Sequence, residues 1–221
     1  MIISKVYKGT TEFSKGYKGS QLIFSSGRLP SEYQEVEWIK STSNTQYNNY
    51  INTGFIPTLY TTITTTIKVG TDFNDFGRLF GADDSKLSIL NYGSYNEWHI
   101  RNIGGRFIYS SIQPDTIYEV SLGWDGEDST NGRFMINGDV IETYGQPSYT
   151  FLNPLLIFSS WADRDGAYTL YSFKVEDNGV LVRDYVPCYI KATNEVGLYD
   201  LVTKEFYHNL GSVPFLKGGD V

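Results

Sequence analysis

Cysteine is nearly absent from this chain, since Cys188 is the only one among 221 residues. A single cysteine excludes an intrachain disulfide framework, so the fold depends on its core, and a reducing compartment suits it. No apolar run is long enough to span a bilayer, which argues against a membrane helix. The first residues also lack the apolar stretch of a secretory signal, so if the protein acts outside a cell, we expect it to leave by another route, such as lysis.

Residues that usually carry catalysis are equally sparse. His99 and His208 are the only histidines, and with Cys188 they lie far apart, without zinc-site spacing. The chain has no G-x-S-x-G elbow, phosphate loop or G-x-G-x-x-G motif. Glycanases of sandwich folds usually alternate carboxylates along one strand, and no such run is present. We therefore predict that the protein is not an enzyme; the alternative is a glycan-hydrolysing enzyme whose carboxylates come from distant strands.

The residues that are abundant favour strands and turns. The chain contains 18 Tyr, 13 Phe and 22 Gly residues, and aromatic residues suit pleated surfaces while glycine suits the turns between them. Apolar and polar residues alternate along 62–69, 118–124 and 171–176, the period of an antiparallel strand with one wet face. Asn-Gly pairs at 137–138 and 178–179 mark two tight hairpins. No long segment has helical periodicity, so we predict an all-β, two-sheet antiparallel sandwich.

The N-terminal segment differs from the rest in charge. Residues 1–28 hold five basic residues against one acidic residue, a net charge of +4, while the whole chain carries −7, which leaves −11 for the remainder. An acidic body argues against nucleic-acid binding. The basic segment lacks an amphipathic helical pattern, so we expect an acidic protein partner and no membrane insertion.

A short repeat lies inside this basic segment. The stretch Ser4–Thr10 recurs as Ser14–Ser20, and each copy reads as a brief Tyr-containing strand that ends at Gly. Such pieces are too small to bury a core alone, but they can pair with one another or with the sheet edge of another chain. We predict that residues 1–28 are an attachment or oligomerisation segment separate from residues 29–221, and that its contact residues are Tyr7, Lys8, Tyr17, Lys18 and Phe24.

An ordered set of short motifs gives the chain a family resemblance. In chain order these are Leu29–Ile39, Thr45–Tyr47, Ile51–Gly54, Leu79–Ala82, Ile136–Gly138, Tyr171–Val175, Leu181–Cys188, Gly197–Val202 and Phe206–Tyr207. The set resembles the concanavalin A/laminin-G-like jelly-roll domains common in proteins of gut bacteria and their bacteriophages, and it covers about residues 29–216. The paired Tyr-Lys-Gly segments resemble, more loosely, short N-terminal modules on phage structural proteins.

The resemblance implies a function in a virus particle. It implies a bacteriophage virion structural protein, of the head-fibre or capsid-decoration type, that is assembled in the host bacterial cytoplasm and bound to capsid or other virion proteins through residues 1–28. A tail-associated receptor-binding adhesin is the alternative. Phage fibres are usually trimers, so the resemblance implies a homotrimer. This fold also hosts lectins, glycanases and inert spacers, so the fold alone assigns no function.

Two loop regions offer the aromatic and polar groups that a sugar site needs. The first holds Tyr92, Tyr95 and Trp98, and the second holds Trp161 with Asp163, Arg164 and Asp165. The alternative is that Trp98 and Trp161 are core residues at strand ends, which is the commoner fate of tryptophan. We predict these residues as candidates for binding host-surface or mucosal glycans.

A calcium ion is the one cofactor that the sequence leaves open. Laminin-G and lectin relatives often hold Ca²⁺ at the rim of the sandwich through carboxylates and carbonyls. Asp83 and Asp84 follow a predicted strand and are the candidate ligands. The alternative is an acidic surface turn, because a calcium site needs several convergent oxygens.

Overall fold

The computed structural model is an all-β protein. It describes residues 28–42, 49–70, 77–83, 86–91, 97–126, 130–160 and 168–221, with four short strands between residues 6 and 25. Across these ranges the chain forms no α-helix. Consequently, none of the described segments is a helix long and apolar enough to cross a membrane.

Twenty-one strands follow one another in the part of the chain that the structure describes. They are β1 Val6–Lys8, β2 Thr11–Phe13, β3 Lys15–Lys18, β4 Gln21–Ser25, β5 Tyr33–Glu35, β6 Ile39–Lys40, β7 Ile51–Asn52, β8 Thr61–Val69, β9 Gly77–Ala82, β10 Leu87–Asn91, β11 Trp98–Asn102, β12 Gly105–Tyr109, β13 Ile117–Trp124, β14 Asn131–Ile136, β15 Asp139–Gly145, β16 Leu156–Ile157, β17 Tyr168–Asp177, β18 Val180–Ile190, β19 Glu195–Asp200, β20 Glu205–His208 and β21 Leu216–Lys217.

Two antiparallel sheets make up the body of the protein. The six-stranded sheet has the order β12-β11-β10-β9-β16-β7. The eleven-stranded sheet has the order β15-β14-β13-β8-β17-β18-β19-β20, with β5, β6 and β21 paired at its side. Aromatic pairs join the facing sheets: Phe80 with Phe173, Trp98 with Tyr118 and Phe107 with Phe134, at centroid distances of 5.7, 5.3 and 5.4 Å. The predicted all-β, two-sheet antiparallel sandwich is confirmed.

Alternation along β8 follows the sequence pattern. Every second residue from Thr61 to Val69 is buried, and the residues between them are partly exposed. Along β17 the alternation predicts that Tyr171, Phe173 and Val175 face the core. Phe173 and Val175 are buried, but Tyr171 is partly exposed. The register between β17 and β8 shifts between Leu170 and Ser172, so a bulge at Tyr171 takes this side chain out of the alternation.

Both predicted Asn-Gly hairpins are present. Asn137 and Gly138 have φ angles of 52° and 88°, and they join β14 to β15. Asn178 and Gly179 have φ angles of 51° and 71°, and they join β17 to β18. Two consecutive positive φ angles are the geometry of a type I′ turn, which matches the twist of the flanking strands.

The N-terminal repeat corresponds to two small hairpins. Strand β1 pairs with β2, and strand β3 pairs with β4, both antiparallel. The predicted attachment residues Tyr7, Lys8, Tyr17, Lys18 and Phe24 all lie on these strands, while their side chains lie outside the described part of the structure.

Cys188 lies in the interior on β18, as its apolar surroundings predict. It is a free, buried cysteine. Burial raises the pKa of its thiol to about 12, so the reactive thiolate is scarce at neutral pH. This cysteine therefore serves as a small apolar core residue.

Candidate functional site

An open groove lies where two loops meet beside the sandwich. One wall is the segment Ile56–Tyr60, which leads into β8, and the other is Tyr149–Phe151, which lies between β15 and β16. The groove has a volume of about 410 Å³. Thr53 and Leu155 hold the two loops together, because the Thr53 amide and hydroxyl both donate to the Leu155 carbonyl, at 3.1 and 2.8 Å.

Hydrogen bonds also fix the first wall. The Thr58 amide donates to the Thr61 hydroxyl oxygen at 2.8 Å, and the Tyr60 amide donates to the Thr58 hydroxyl oxygen at 3.0 Å. Both threonine hydroxyls donate to the carboxylate of Asp177 at the end of β17. The Gln146 side chain donates to the Leu59 carbonyl at 3.3 Å, so the second loop holds the first directly.

Aromatic rings stand on both walls. Tyr60 is 41% exposed, and its ring makes an edge contact with Trp124 at 5.4 Å. On the other wall Tyr149 is half-buried and packs edge-on against Phe151 at 5.1 Å. The exposed Ile56 adds an apolar surface beside Tyr60. The groove is thus largely apolar, with a few polar groups at fixed positions, as small-molecule sites commonly are.

Asp83 stabilises the second wall. Its carboxylate accepts hydrogen bonds from the amide nitrogens of Leu152 and Asn153 at 2.6 and 2.7 Å, from Asn153 Nδ2 at 2.7 Å and from the Tyr149 hydroxyl at 3.2 Å. Desolvation and the Asp83 charge both raise the pKa of Tyr149, which keeps its hydroxyl a donor. One carboxylate therefore organises the loop that forms this side of the groove.

Asp83 is also the candidate calcium ligand of the sequence, and that assignment stays a prediction. Its oxygens face N–H and O–H donors, whereas Ca²⁺ needs several converging oxygens. Among the described residues, no group of three or more His, Cys, Asp or Glu side chains could hold a metal ion. Asp84 lies outside the described residues, so a calcium site that uses it stays a prediction.

Of the residues predicted to bind glycans, the structure describes only Trp98. Trp98 is fully buried on β11, and its ring packs against Tyr118. A sugar needs an exposed ring face, so Trp98 belongs to the core alternative that the sequence left open. Tyr92, Tyr95, Trp161, Asp163, Arg164 and Asp165 lie outside the described residues, and their role stays a prediction.

The outer face of the six-stranded sheet is unexpectedly polar. Arg78 and His99 are both cross-strand partners of Leu90, and these residues share the face turned away from the core. Arg78 is fully buried and donates from Nη1 to the Ser88 hydroxyl at 2.7 Å. Burial lowers the pKa of His99, and nearby arginines lower it further, while Glu97 at 3.4 Å raises it. The buried polar groups on this face show that β9 and β10 are covered on both sides, whereas β12 at the sheet edge is largely exposed.

Sequence reasoning missed the groove because its residues are scattered. Tyr60 and Tyr149 are far apart in sequence and neither forms part of a motif. The only local signal was the irregular, aromatic-containing stretch before β8, which a reader of the sequence takes as a connecting loop. The loops meet because β7 pairs with β16, and that pairing follows from the topology rather than from a local pattern.

Comparison with known proteins gives only distant structural likenesses. No protein-family model matches the chain, and no curated protein matches it. It is similar to an HCR/D mutant, at 10% identity over 90% of this chain and 63% of that chain, with a TM-score of 0.43. It is also similar to the binding domain of botulinum neurotoxin DC in complex with SialylT, at 12% identity over 98% and 65% of the two chains, with a TM-score of 0.37.

A third similar structure comes from work on the dependence of botulinum neurotoxin type C entry on two ganglioside molecules, with 12% identity and a TM-score of 0.37. It is matched over 98% of this chain and 69% of that chain. The present chain spans less than two thirds of the HCR/D chain. At TM-scores below 0.5, these likenesses carry no argument about this chain.

Proposed function

We propose that this chain is a non-catalytic binding protein that takes carbohydrate in the groove between Ile56–Tyr60 and Tyr149–Phe151. The observation that carries this proposal is the half-exposed ring of Tyr60 in an open groove of about 410 Å³. That volume falls within the roughly 300–1,000 Å³ of small-molecule sites.

The physical reasoning follows from the chemistry of sugars. A sugar ring has an apolar face of C–H groups and an edge of hydroxyls. The Tyr60 ring offers the flat apolar surface, and the exposed Thr150 on the other wall offers a polar group beside it. Hydrogen bonds already hold both walls in place, so little ordering entropy is lost on binding.

The carboxylates beside the groove support binding rather than turnover. Asp177 accepts the hydroxyls of Thr58 and Thr61, and Asp83 accepts four hydrogen bonds from the second loop. A glycosidase needs two carboxylates free to act as acid and as base or nucleophile. Here both carboxylates stabilise loops, and stabilised loops give a binding site a fixed shape.

We further propose that the chain is a bacteriophage virion structural protein, of the head-fibre or capsid-decoration type, that displays the sandwich. The support is the ordered set of motifs between Leu29 and Tyr207, together with the basic repeat in residues 1–28. Two-stranded hairpins have edges that can pair with another sheet, and their positive charge suits an acidic partner. A homotrimer that projects three sandwiches would add avidity for a repeated surface glycan.

The groove is tested with a glycan array on the full chain, followed by calorimetry with the best ligand. Tyr60→Ala is expected to weaken binding about tenfold, since an aromatic contact contributes roughly 0.5–1.5 kcal/mol beyond its buried area. Tyr171→Ala, at the bulge of β17, is the matched control and should bind as the wild type does. Equal affinity of the two variants would place the glycan elsewhere, and release of reducing sugar by the wild type would overturn the non-catalytic proposal.

Attachment is tested with stripped and intact virus particles of the parent phage. The full chain carrying both Lys8→Glu and Lys18→Glu should fail to rebind stripped particles. Lys174→Glu, an exposed residue of β17, is the control for a lysine-to-glutamate change in the sandwich and should rebind normally. Rebinding by all variants would remove the electrostatic attachment through residues 1–28, and failure of the wild type to rebind would remove the virion assignment.

A further inference from the structure

The two sheets end in four edge strands. Strands β12 and β7 end the six-stranded sheet, and strands β15 and β20 end the eleven-stranded sheet. Hydrogen bonds join the residue before β7 to the segment after β20: the Leu210 amide donates to the Tyr50 carbonyl at 2.9 Å, and the Tyr50 amide donates to Asn209 Oδ1 at 3.0 Å. The side of the sandwich that carries β7 and β20 is therefore closed.

Strand β15 has an open edge on the other side of the sandwich. Among the described residues, its backbone pairs with β14 alone. The turn between β11 and β12 approaches it at its last residue, where a Cβ atom added at Gly104 would stand 2.0 Å from the carbonyl oxygen of Gly145. Before that end, Asp139, Glu142 and Thr143 are exposed. The open edge of β15 therefore presents unpaired N–H and C=O groups that can accept one more strand.

Charge distinguishes the open edge of β15 from β12. Strand β15 carries Asp139 and Glu142, and the sequence has no Lys or Arg between residues 134 and 163. Strand β12 carries a single charge, that of Arg106, whose cross-strand partner is Arg101. Like charges that face each other across strands are destabilising, so β15 does not suit the β15 strand of another copy. A basic strand suits the open edge of β15 and is repelled by β12.

A bulge further limits which strands fit this edge. Phe134 and Met135 are consecutive on β14, but their partners are Glu142 and Val140, so Ile141 is an extra residue on β15. A bulge bends an edge strand and increases its twist, which disfavours pairing with a long, flat strand. The open edge of β15 therefore suits a short strand with positive charge.

The N-terminal segment contains one strand of this kind. Strand β3, Lys15–Lys18, has two lysines and no acidic residue in four positions. Strand β1 has one lysine, β2 has Glu12, and β4 is uncharged. Among the described strands, β3 pairs only with β4, in a sheet of two strands. Its second edge is thus available to another sheet.

Within one chain, β3 lies far from β15. The Arg28 guanidinium pairs with the Glu35 carboxylate on β5, and β5 pairs with β18, so the N-terminal segment leaves the sandwich beside β18. Five strand spacings of about 4.8 Å, or about 24 Å, separate β18 from β15. The end of β4 at Ser25 precedes Arg28 by three residues, which span at most about 11 Å. A strand that adds to β15 therefore comes from another copy.

We propose that β3 of one copy adds as an antiparallel strand to the open edge of β15 in a second copy. Lys15 and Lys18 are three residues apart, as are Asp139 and Glu142, so this direction brings Lys15 towards Glu142 and Lys18 towards Asp139. Because the contact joins two different surfaces, it is heterologous, and copies that repeat it close into a ring.

This inference rests on the proposed attachment function of residues 1–28 and divides that function between the two hairpins. Strand β3 meets the neighbouring copy, while β1 and β2 stay available for the virion partner. The contact does not involve the groove between Ile56–Tyr60 and Tyr149–Phe151, so assembly and glycan binding are measured separately.

The experiment measures the mass of the full chain in solution by light scattering and its assembly constant by sedimentation. The wild type should form an oligomer. Glu142→Lys and Lys15→Glu should each weaken assembly at least tenfold, because each replaces an attraction with a repulsion. The variant with both reversals should regain most of the lost affinity. Glu176→Lys, the same reversal at an exposed residue of β17, is the matched control and should assemble as the wild type does.

Hydrogen exchange locates the contact on the sheet. The amides of residues 139–143 should be protected in the assembled wild type and should exchange faster in Glu142→Lys. Protection of these amides in a monomeric wild type would show that the chain covers its own edge, which overturns the contact between copies.

Two further results would overturn the proposal. A double variant that assembles no better than the single variants would show that Lys15 and Glu142 do not meet. A wild type that is monomeric at every concentration, yet binds glycan and rebinds stripped particles, would remove the contact and leave the proposed function in place. An assembled wild type whose assembly follows the charge reversals, but which binds neither glycan nor particles, would support the contact and remove the proposed function.

Discussion

The two sheets of the sandwich use their faces differently. In the eleven-stranded sheet, β8 alternates buried and partly exposed residues along its whole length. In the six-stranded sheet, every residue of β9 and β10 is buried. One sheet thus divides its residues between core and solvent, while the other encloses polar side chains such as Arg78 and Ser88. A half-exposed strand can therefore be recognised in the sequence by its alternation of apolar and polar residues, whereas a strand covered on both faces has no such pattern.

The largest expected effect lies where the sheets meet. Phe80→Ala and Phe173→Ala should each lower the free energy of unfolding by about 3–5 kcal/mol, because each removes a fully buried ring. The rings contact each other at 5.7 Å, so the double variant should lose less than the sum of the two. Urea unfolding of the four proteins measures this coupling, and strict additivity would contradict a shared core between the sheets.

A smaller loss is expected at the end of β9. Asp83→Asn keeps the shape of the side chain but turns one acceptor into a donor that faces amide N–H groups. The free energy of unfolding should fall by about 1.5–3 kcal/mol, the range for hydrogen bonds to a charged group. Asp139→Asn, exposed at the start of β15, should stay within about 0.5 kcal/mol. Thermal unfolding of both variants compares them, and equal stability would mean that Asp83 does not hold the loop.

The enclosed outer face of the six-stranded sheet is tested with two arginines on that face. Arg78→Met should cost about 1–3 kcal/mol, since it removes the donor to the buried Ser88 hydroxyl. Arg106→Met, on exposed β12, should change stability by no more than about 0.5 kcal/mol. Denaturant midpoints give the comparison. If the two substitutions had the same effect, the contrast between the enclosed and the open parts of this sheet would fail.

The smallest effect concerns pH. Burial lowers the pKa of His99 in the folded state, so the unfolded chain takes up this proton first as the pH falls. The contribution of neutral His99 is therefore complete above the unfolded pKa of about 6.5 and is lost below it, at no more than about 1.4 kcal/mol per pH unit. His99→Gln should give a shallower decline of stability between about pH 6.5 and pH 5. Parallel curves for variant and wild type would contradict the shift.

The contrast between an alternating strand and a fully buried strand also explains which features the sequence could predict. The alternation of β8 and the two Asn-Gly turns are local features, and the structure confirms them. The position of Tyr171 was misread because a bulge leaves no mark in an alternating pattern. The groove was not predicted, since it joins segments that only strand pairing brings together. The hydrogen bonds that Asp83 accepts were not predicted either, because sequence shows a carboxylate but not the donors that face it.

The two Asn-Gly turns also differ in how readily their asparagines deamidate. Asparagine before glycine is prone to deamidation, in which the glycine amide nitrogen attacks the side-chain carbonyl. Asn137 Oδ1 accepts a hydrogen bond from the Glu119 amide at 2.9 Å, whereas the exposed side chain of Asn178 bonds to none of the described residues. As the protein ages, we expect Asn178 to convert to aspartate and isoaspartate first, which peptide mapping would detect. The tip of the β17–β18 hairpin would then gain negative charge, while Asn137 at the tip of the β14–β15 hairpin would remain an asparagine.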